Sequence, residues 1–142
     1  MLDRIPNSGI SLREFADDDL SAAHALSRSV RWRHRPEDWR FAAHTGKGIV
    51  AVDEDGTLVG SAFAWQFGGD AATIGMLIVA PDHERHGIGR AMITHWMHAL
   101  APRTLLLHAS DAALPLVEQL SFRRLGRIHQ HQGAAFHPPL VS

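Results

Sequence analysis

The stretch Val79-Ala80-Pro81-Asp82-His83-Glu84-Arg85-His86-Gly87-Ile88-Gly89-Arg90-Ala91-Met92 constrains the fold of this chain more than any other. An apolar run of β type meets a proline, passes through a basic turn with glycines at 87 and 89, and enters an amphipathic pattern. In that pattern Ile88, Met92, Trp96 and Leu100 recur every four residues, so the reading is strand, turn, helix. Glycine lets the backbone approach an anion closely, and a helix N-terminus offers unpaired N–H donors and the positive end of the helix dipole. Arg85 and Arg90 add positive charge beside it. These residues together are suited to hold a diphosphate. Two common phosphate loops do not fit, because a dinucleotide turn needs a small residue where Met92 stands, and no Gly-Lys-Ser/Thr triplet is present.

The 142-residue chain is near the commonest domain size, and domains of that size bury about 68–70% of the surface that the unfolded chain exposes. A single domain over residues 1–132 is expected, with residues 133–142, which carry Pro138 and Pro139, as a tail or linker. The formal charge is −1 with 11 histidines, so the chain becomes strongly cationic only as pH falls through about 6.5. That balance gives no support to a nucleic-acid partner. The absence of cysteine excludes disulfides, a thiol nucleophile and thiolate metal sites. The N-terminal stretch MLDRIPNSGISLREF lacks an apolar core of signal-peptide length, and no segment approaches the ~20 apolar residues that span a bilayer. A cytoplasmic chain with no membrane partner is the expectation.

The order of elements adds to this. Residues 10–15 alternate as a half-buried strand, and Asp17-Asp18-Asp19 opens a helix that runs to about Ser29. The segment Arg31-Trp32-Arg33-His34-Arg35 is too basic and aromatic for core, and Pro36 then starts a second helix that Gly46 stops. Residues 49–52 and 58–65 form a hairpin around Asp55-Gly56, and residues 71–79 add a third strand to the meander. After the glycine-turn helix, Thr104-Leu105-Leu106-Leu107 has the wholly apolar character of a central strand covered on both faces. Asp111 is positioned to cap a last helix through Leu120, and residues 124–132 read as a final strand.

This order, together with the Val-x-Pro strand end and the pattern spanning Glu84 to Gly89, resembles the GNAT superfamily of N-acetyltransferases over residues 10–132. The resemblance implies an α+β (α/β/α) fold: a mixed, mostly antiparallel sheet flanked by helices and splayed between the fourth and fifth strands. A closing strand usual in that fold is not apparent, and either a tandem second domain or the partner subunit of a homodimer would cover the exposed edge.

The resemblance also implies acetyl-CoA as cosubstrate and a small-molecule or peptide amine as acceptor, with direct transfer between them. The pantetheine arm would bond to the backbone of Leu77, Ile78 and Val79, and the diphosphate would sit on Arg85, His86, Gly87, Ile88, Gly89 and Arg90. Ser110 stands where many relatives have a pantetheine-contacting asparagine. The family commonly protonates the departing thiolate from a tyrosine in Tyr-Glu-x-Leu-Gly-Phe. Here the segment is Val117-Glu118-Gln119-Leu120-Ser121-Phe122, and the chain has no tyrosine. His108, after the apolar strand, is the remaining candidate for that proton.

Acceptor recognition falls to Trp32, Arg33, His34 and Arg35, since in this fold the segment between the first two helices overhangs the thioester end of the cleft. Cations flanking indoles suit an acceptor with a carboxylate or phosphate and a flat apolar part. The alternative role is a non-catalytic acyl-CoA-binding or regulatory domain. No metal site is expected: the pairs His83/His86, His95/His98 and His129/His131 lack carboxylates or thiolates that would complete a ligand set.

Overall fold

The computed structural model describes residues 3–126. Six strands form one sheet whose spatial order is the order in sequence: β1 (Asp3–Ile5), β2 (Ile10–Glu14), β3 (Lys47–Val52), β4 (Leu58–Phe67), β5 (Ala71–Val79) and β6 (Thr104–Leu107). Neighbours are antiparallel except β5 and β6, which are parallel. Helices α1 (Leu20–Ser29) and α2 (Pro36–Thr45) lie on one face, and α3 (Ile88–Leu100) lies on the other with α4 (Leu114–Gln119) against it. The α/β/α layering is that of the expected α+β fold.

Strand β1 went unread in the sequence. It is three residues long and returns through Asn7 and Gly9, both in left-handed conformation, with the Ser8 hydroxyl donating to the Ile5 carbonyl at 2.7 Å. Its presence makes the expected fourth and fifth strands β5 and β6.

The core has two parts. Beneath α3, the predicted stripe of Ile88, Met92, Trp96 and Leu100 is buried against Leu12, Ile49, Ala62 and Ile74. Beneath α1 and α2, Trp39 and Phe63 are fully buried with Ala23, Leu26 and Ile78. The Trp39 indole donates to the Ser27 hydroxyl at 3.2 Å, which satisfies its one polar atom. Asp19, last of the acidic run, does more than favour a helix start. It is buried, takes a two-pronged bond from the Arg13 guanidinium at 2.8 Å on each oxygen, and accepts the Ala16 N–H. These bonds lower its pKa below the usual carboxylate range and tie α1 to β2.

Three expectations need correction. Strand β6 is covered on one face only: Leu105 and Leu107 pack against the α3 core, whereas Leu106 is 45% exposed and β6 is the sheet edge among the described residues. The last helix is shorter than expected, and its lead-in turn is closed by Ser110 rather than Asp111, through bonds from the Ala113 and Leu114 N–H groups to the Ser110 carbonyl at 3.0 Å. Residues 124–126 are not in a strand, while the rest of the expected final strand, His129 and His131, and the tail lie outside the described residues.

Candidate active site

Two structural irregularities define the site. The first is the divergence of β5 and β6. Their pairing runs from Ala71↔Thr104 to Ile74↔Leu107 and stops, while β5 continues to Val79. The expected splay is present, and over residues 75–79 the β6-facing edge of β5 has no strand beside it among the described residues. Leu77, Ile78 and Val79 lie on this segment.

A bulge sits at the point of divergence. Ser61 opposes Ile78 and Phe63 opposes Gly75, so one residue of β4 spans two of β5. Met76 takes a φ of +48°, and its carbonyl accepts a 2.8 Å bond from the buried Ser61 hydroxyl. The bulge reverses the facing of the strand. Ala72 and Ile74 pack under α3, and alternation would send residues 76 and 78 there too; instead Leu77 and Val79 pack there, and Ile78 joins the core beneath α1 and α2. Ser61 was not legible in the sequence, because its importance depends on a register shift in the neighbouring strand.

The second irregularity is the turn before α3. Arg85 has φ +67° and Gly87 φ +79°, and Gly87 is the N-cap of α3 with no side chain capping the helix. Alternating backbone of this kind gathers consecutive N–H groups into an anion-binding concavity. The first intrahelical bond runs from Ala91 to Gly87, which leaves the N–H groups of Ile88, Gly89 and Arg90 free of intrahelical partners. A Cβ on Gly87 would meet nothing within 4 Å, so the turn is open outward. Residues 85–87 are exposed, Ile88 is buried as an anchor, and the Arg90 guanidinium is held by Gln119 at 2.6 Å. Gly89 has a packing role as well: a Cβ there would lie 3.1 Å from Leu116 of α4 and 3.7 Å from Val79.

His108 is exposed, one residue past the last β5–β6 pair, and its ring makes no hydrogen bond among the described residues. Ser110 is exposed, and its hydroxyl oxygen accepts a 3.3 Å bond from the Ala113 N–H. Val117, in the place of the usual tyrosine, is buried. His83 bonds Asp82 at 2.9 Å, and among the described residues no three His, Asp or Glu side chains gather as metal ligands would.

The segment between α1 and α2 separates into two kinds of residue. Trp32 and His34 are half-buried and stacked at 5.3 Å, and His34 also meets Trp39 at 6.2 Å. Trp32 packs on the cluster that holds Ile78 and Met76. The Nδ1 atom of His34 is buried with no hydrogen-bond partner among the described residues, and burial lowers the pKa of the ring against a smaller opposing pull from Asp38. Arg33 and Arg35 point outward, and Arg35 is the N-cap of α2, with its guanidinium on Asp38 at 3.3 Å and its N–H on the same carboxylate at 2.8 Å. The structure thus packs Trp32 on the core beneath α1 and α2, stacks His34 on it, and spends Arg35 on a helix start.

A divergent parallel pair followed by a glycine-bearing helix start is the arrangement the family resemblance implied, and the bulge at the fork is added by the structure. The chain matches the profile of the acetyltransferase (GNAT) family over residues 11–122. It belongs to the GNAT family. Solved structures share its fold: a protein of Deinococcus radiodurans R1 (19% identity, TM-score 0.73, 92% of this chain on 93% of that one), the ribosomal-protein-S18-alanine N-acetyltransferase of Escherichia coli (22%, 0.72, 82% on 79%), and an acetyltransferase of Trypanosoma brucei (23%, 0.67, 87% on 99%). Comparison with curated proteins gives no match. Membership of this family makes the chain an acetyltransferase, with acyl transfer as its general chemistry. Among the described residues, no helix of this GNAT protein is long and apolar enough to cross a membrane.

Proposed function

We propose that this GNAT protein is an acetyl-CoA-dependent N-acetyltransferase that passes the acetyl group directly to an amine, without an acyl-enzyme. The observation that carries the reading is the alignment of the β5–β6 fork with the left-handed turn at Arg85 and Gly87. Together they offer an unpartnered strand edge for an extended arm and free N–H groups for a diphosphate, and no side chain closes the turn. Acetyl-CoA, when bound, supplies the acyl group as an activated thioester. Residues 85–90 would hold its phosphates, Leu77, Ile78 and Val79 its arm through main-chain groups, and Ser110 its amides through the hydroxyl proton. The amine enters beside Trp32, Arg33 and His34 and forms the new C–N bond as the C–S bond breaks. His108 would donate a proton from a ring nitrogen to the departing thiolate, and the proton that the attacking nitrogen sheds would pass through water to restore the ring.

A second reading is favoured by one observation. With Val117 buried where the usual acid stands and no tyrosine anywhere in the chain, the domain could bind an acyl-CoA without turning it over. Two measurements separate the readings. CoA at 100 times its Kd should stabilise the native state by ~2.7 kcal/mol and raise Tm accordingly, less so in Arg85→Ala. Thiol release from acetyl-CoA should then depend on an added primary amine. No thermal shift would sink both readings, and a shift without amine-dependent thiol release would leave the binding role.

A further inference from the structure

Among the described residues, five other than glycine adopt left-handed backbone: Asn7, Arg31, Met76, Arg85 and Ser121. A Cβ makes this conformation costly, least so for a short polar side chain that can bond locally. Asn7 suits its turn. Ser121 closes α4, with its N–H on the Glu118 carbonyl and the Phe122 N–H on the Val117 carbonyl, at the helix-end position that favours glycine. Met76 and Arg85 are long side chains, and they mark the fork bulge and the phosphate turn. Arg31 is the third long one.

Arg31, at φ +62°, ends α1 by the same double closure: its N–H donates to the Arg28 carbonyl at 3.0 Å, and the Trp32 N–H donates to the Ser27 carbonyl at 2.9 Å. Glycine would serve this backbone without strain, so the backbone gives no reason for an arginine. Packing gives none either. Arg31 is exposed and has no ion pair or side-chain hydrogen bond among the described residues, and Arg33 is likewise exposed and free. Arg35, by contrast, is neutralised by Asp38. Between the two arginines in sequence stands Trp32, packed on the cluster that holds Ile78 and stacked on His34, whose buried Nδ1 has no partner among the described residues.

We propose that Arg31 is the specificity-determining residue of the acceptor site, reading an anionic oxygen group, carboxylate or phosphate, on the primary amine that is acylated. Arg33 assists it from across Trp32, and the indole takes the apolar part of the acceptor. This rests on the transfer reading above and narrows its substrate to amines that also carry an acidic group.

The test uses matched primary amines, a free acid against its amide and a phosphate ester against its alcohol, with thiol release from acetyl-CoA as readout. The wild type should favour the charged member of at least one pair by about tenfold in kcat/KM, as a charge-assisted contact would give. That advantage should shrink as salt rises. Which pair shows it tells carboxylate from phosphate. In Arg31→Gly the charged-to-neutral ratio should fall about tenfold, toward one, while Tm rises by about 2–4 °C as the strain is relieved. Arg31→Asn, which tolerates the same backbone, should lose the ratio too. Ser121→Gly should raise Tm and leave the ratio alone. Retention of the ratio in Arg31→Gly, a fall in its Tm, or equal use of charged and neutral amines by the wild type would each overturn the inference. A wild type that binds CoA yet transfers to no amine would sink the transfer reading itself.

Discussion

His34 illustrates how little a residue's type says about its role. Its ring meets both Trp32 and Trp39, its Nδ1 is buried with no partner among the described residues, and burial, the larger influence, lowers its pKa although Asp38 pulls the other way. A group whose folded pKa lies below its unfolded value of about 6.5 stabilises the fold above that value, because only the unfolded chain then takes up the proton as pH falls. Stability should therefore drop as pH falls from 6.5 through the lower folded value. Thermal unfolding at pH 7.5 and pH 5 should show a larger loss for the wild type than for His34→Gln; equal losses would mean that the ring is solvated. Neighbours of similar character diverge in the same way. Trp39 is fully buried and donates to Ser27, whereas Trp32 remains half-exposed on the edge of the same cluster. Arg33 and Arg35 read alike in sequence, but Asp38 three residues on claims Arg35 as the cap of α2.

Among the elements, β5 decides most. Its limits, Ala71–Val79, follow from an apolar run bounded by a glycine turn and a proline, and both signals are local. Its bulge is not local. Which residues of β5 face α3 depends on the Ser61 hydroxyl reaching the Met76 carbonyl from the adjacent strand. Ser61→Ala would leave that carbonyl without its donor, at a cost of about 1–2 kcal/mol. On the proposed function it should also lower kcat more than it weakens CoA binding, because the bulge lies at the fork and the turn assigned to the diphosphate lies beyond it. Urea unfolding and steady-state kinetics check both, and an unchanged kcat would separate the bulge from the chemistry. The α3 start carries a related lesson. Gly89 suits a close approach to phosphate, yet the space at its missing Cβ is partly taken by Leu116, so a valine there would disturb the α3–α4 contact as well as any ligand.

At the scale of the molecule, the sheet ends at β6 with one face open among the described residues. Leu106 is exposed, while Leu105 and Leu107 pack on the α3 core. Leu106→Lys should change stability by no more than about 0.5 kcal/mol, as at other surface positions, whereas Leu105→Lys should cost more than ~2 kcal/mol by burying a charge. A large loss for Leu106→Lys would mean that something covers this face. A run of three leucines cannot itself report this, since a strand buried on both faces and an apolar edge strand have the same composition.

The sequence by itself determined the alternation and order of most elements, the α3 stripe, the α2 start and the turn that opens α3. Each depends on contacts within a few residues: apolar spacing, a proline at a first helical turn, a glycine at a left-handed bend. Tertiary structure alone decided the short β1, the bulge and its reversed facing, the pairing of Arg13 with Asp19, and the loss of Arg35 to a cap while Arg31 stayed free. These depend on which strand or side chain arrives from elsewhere in the chain. That follows from the physics of the sheet, where partners are distant in sequence and a one-residue shift moves every later side chain to the opposite face.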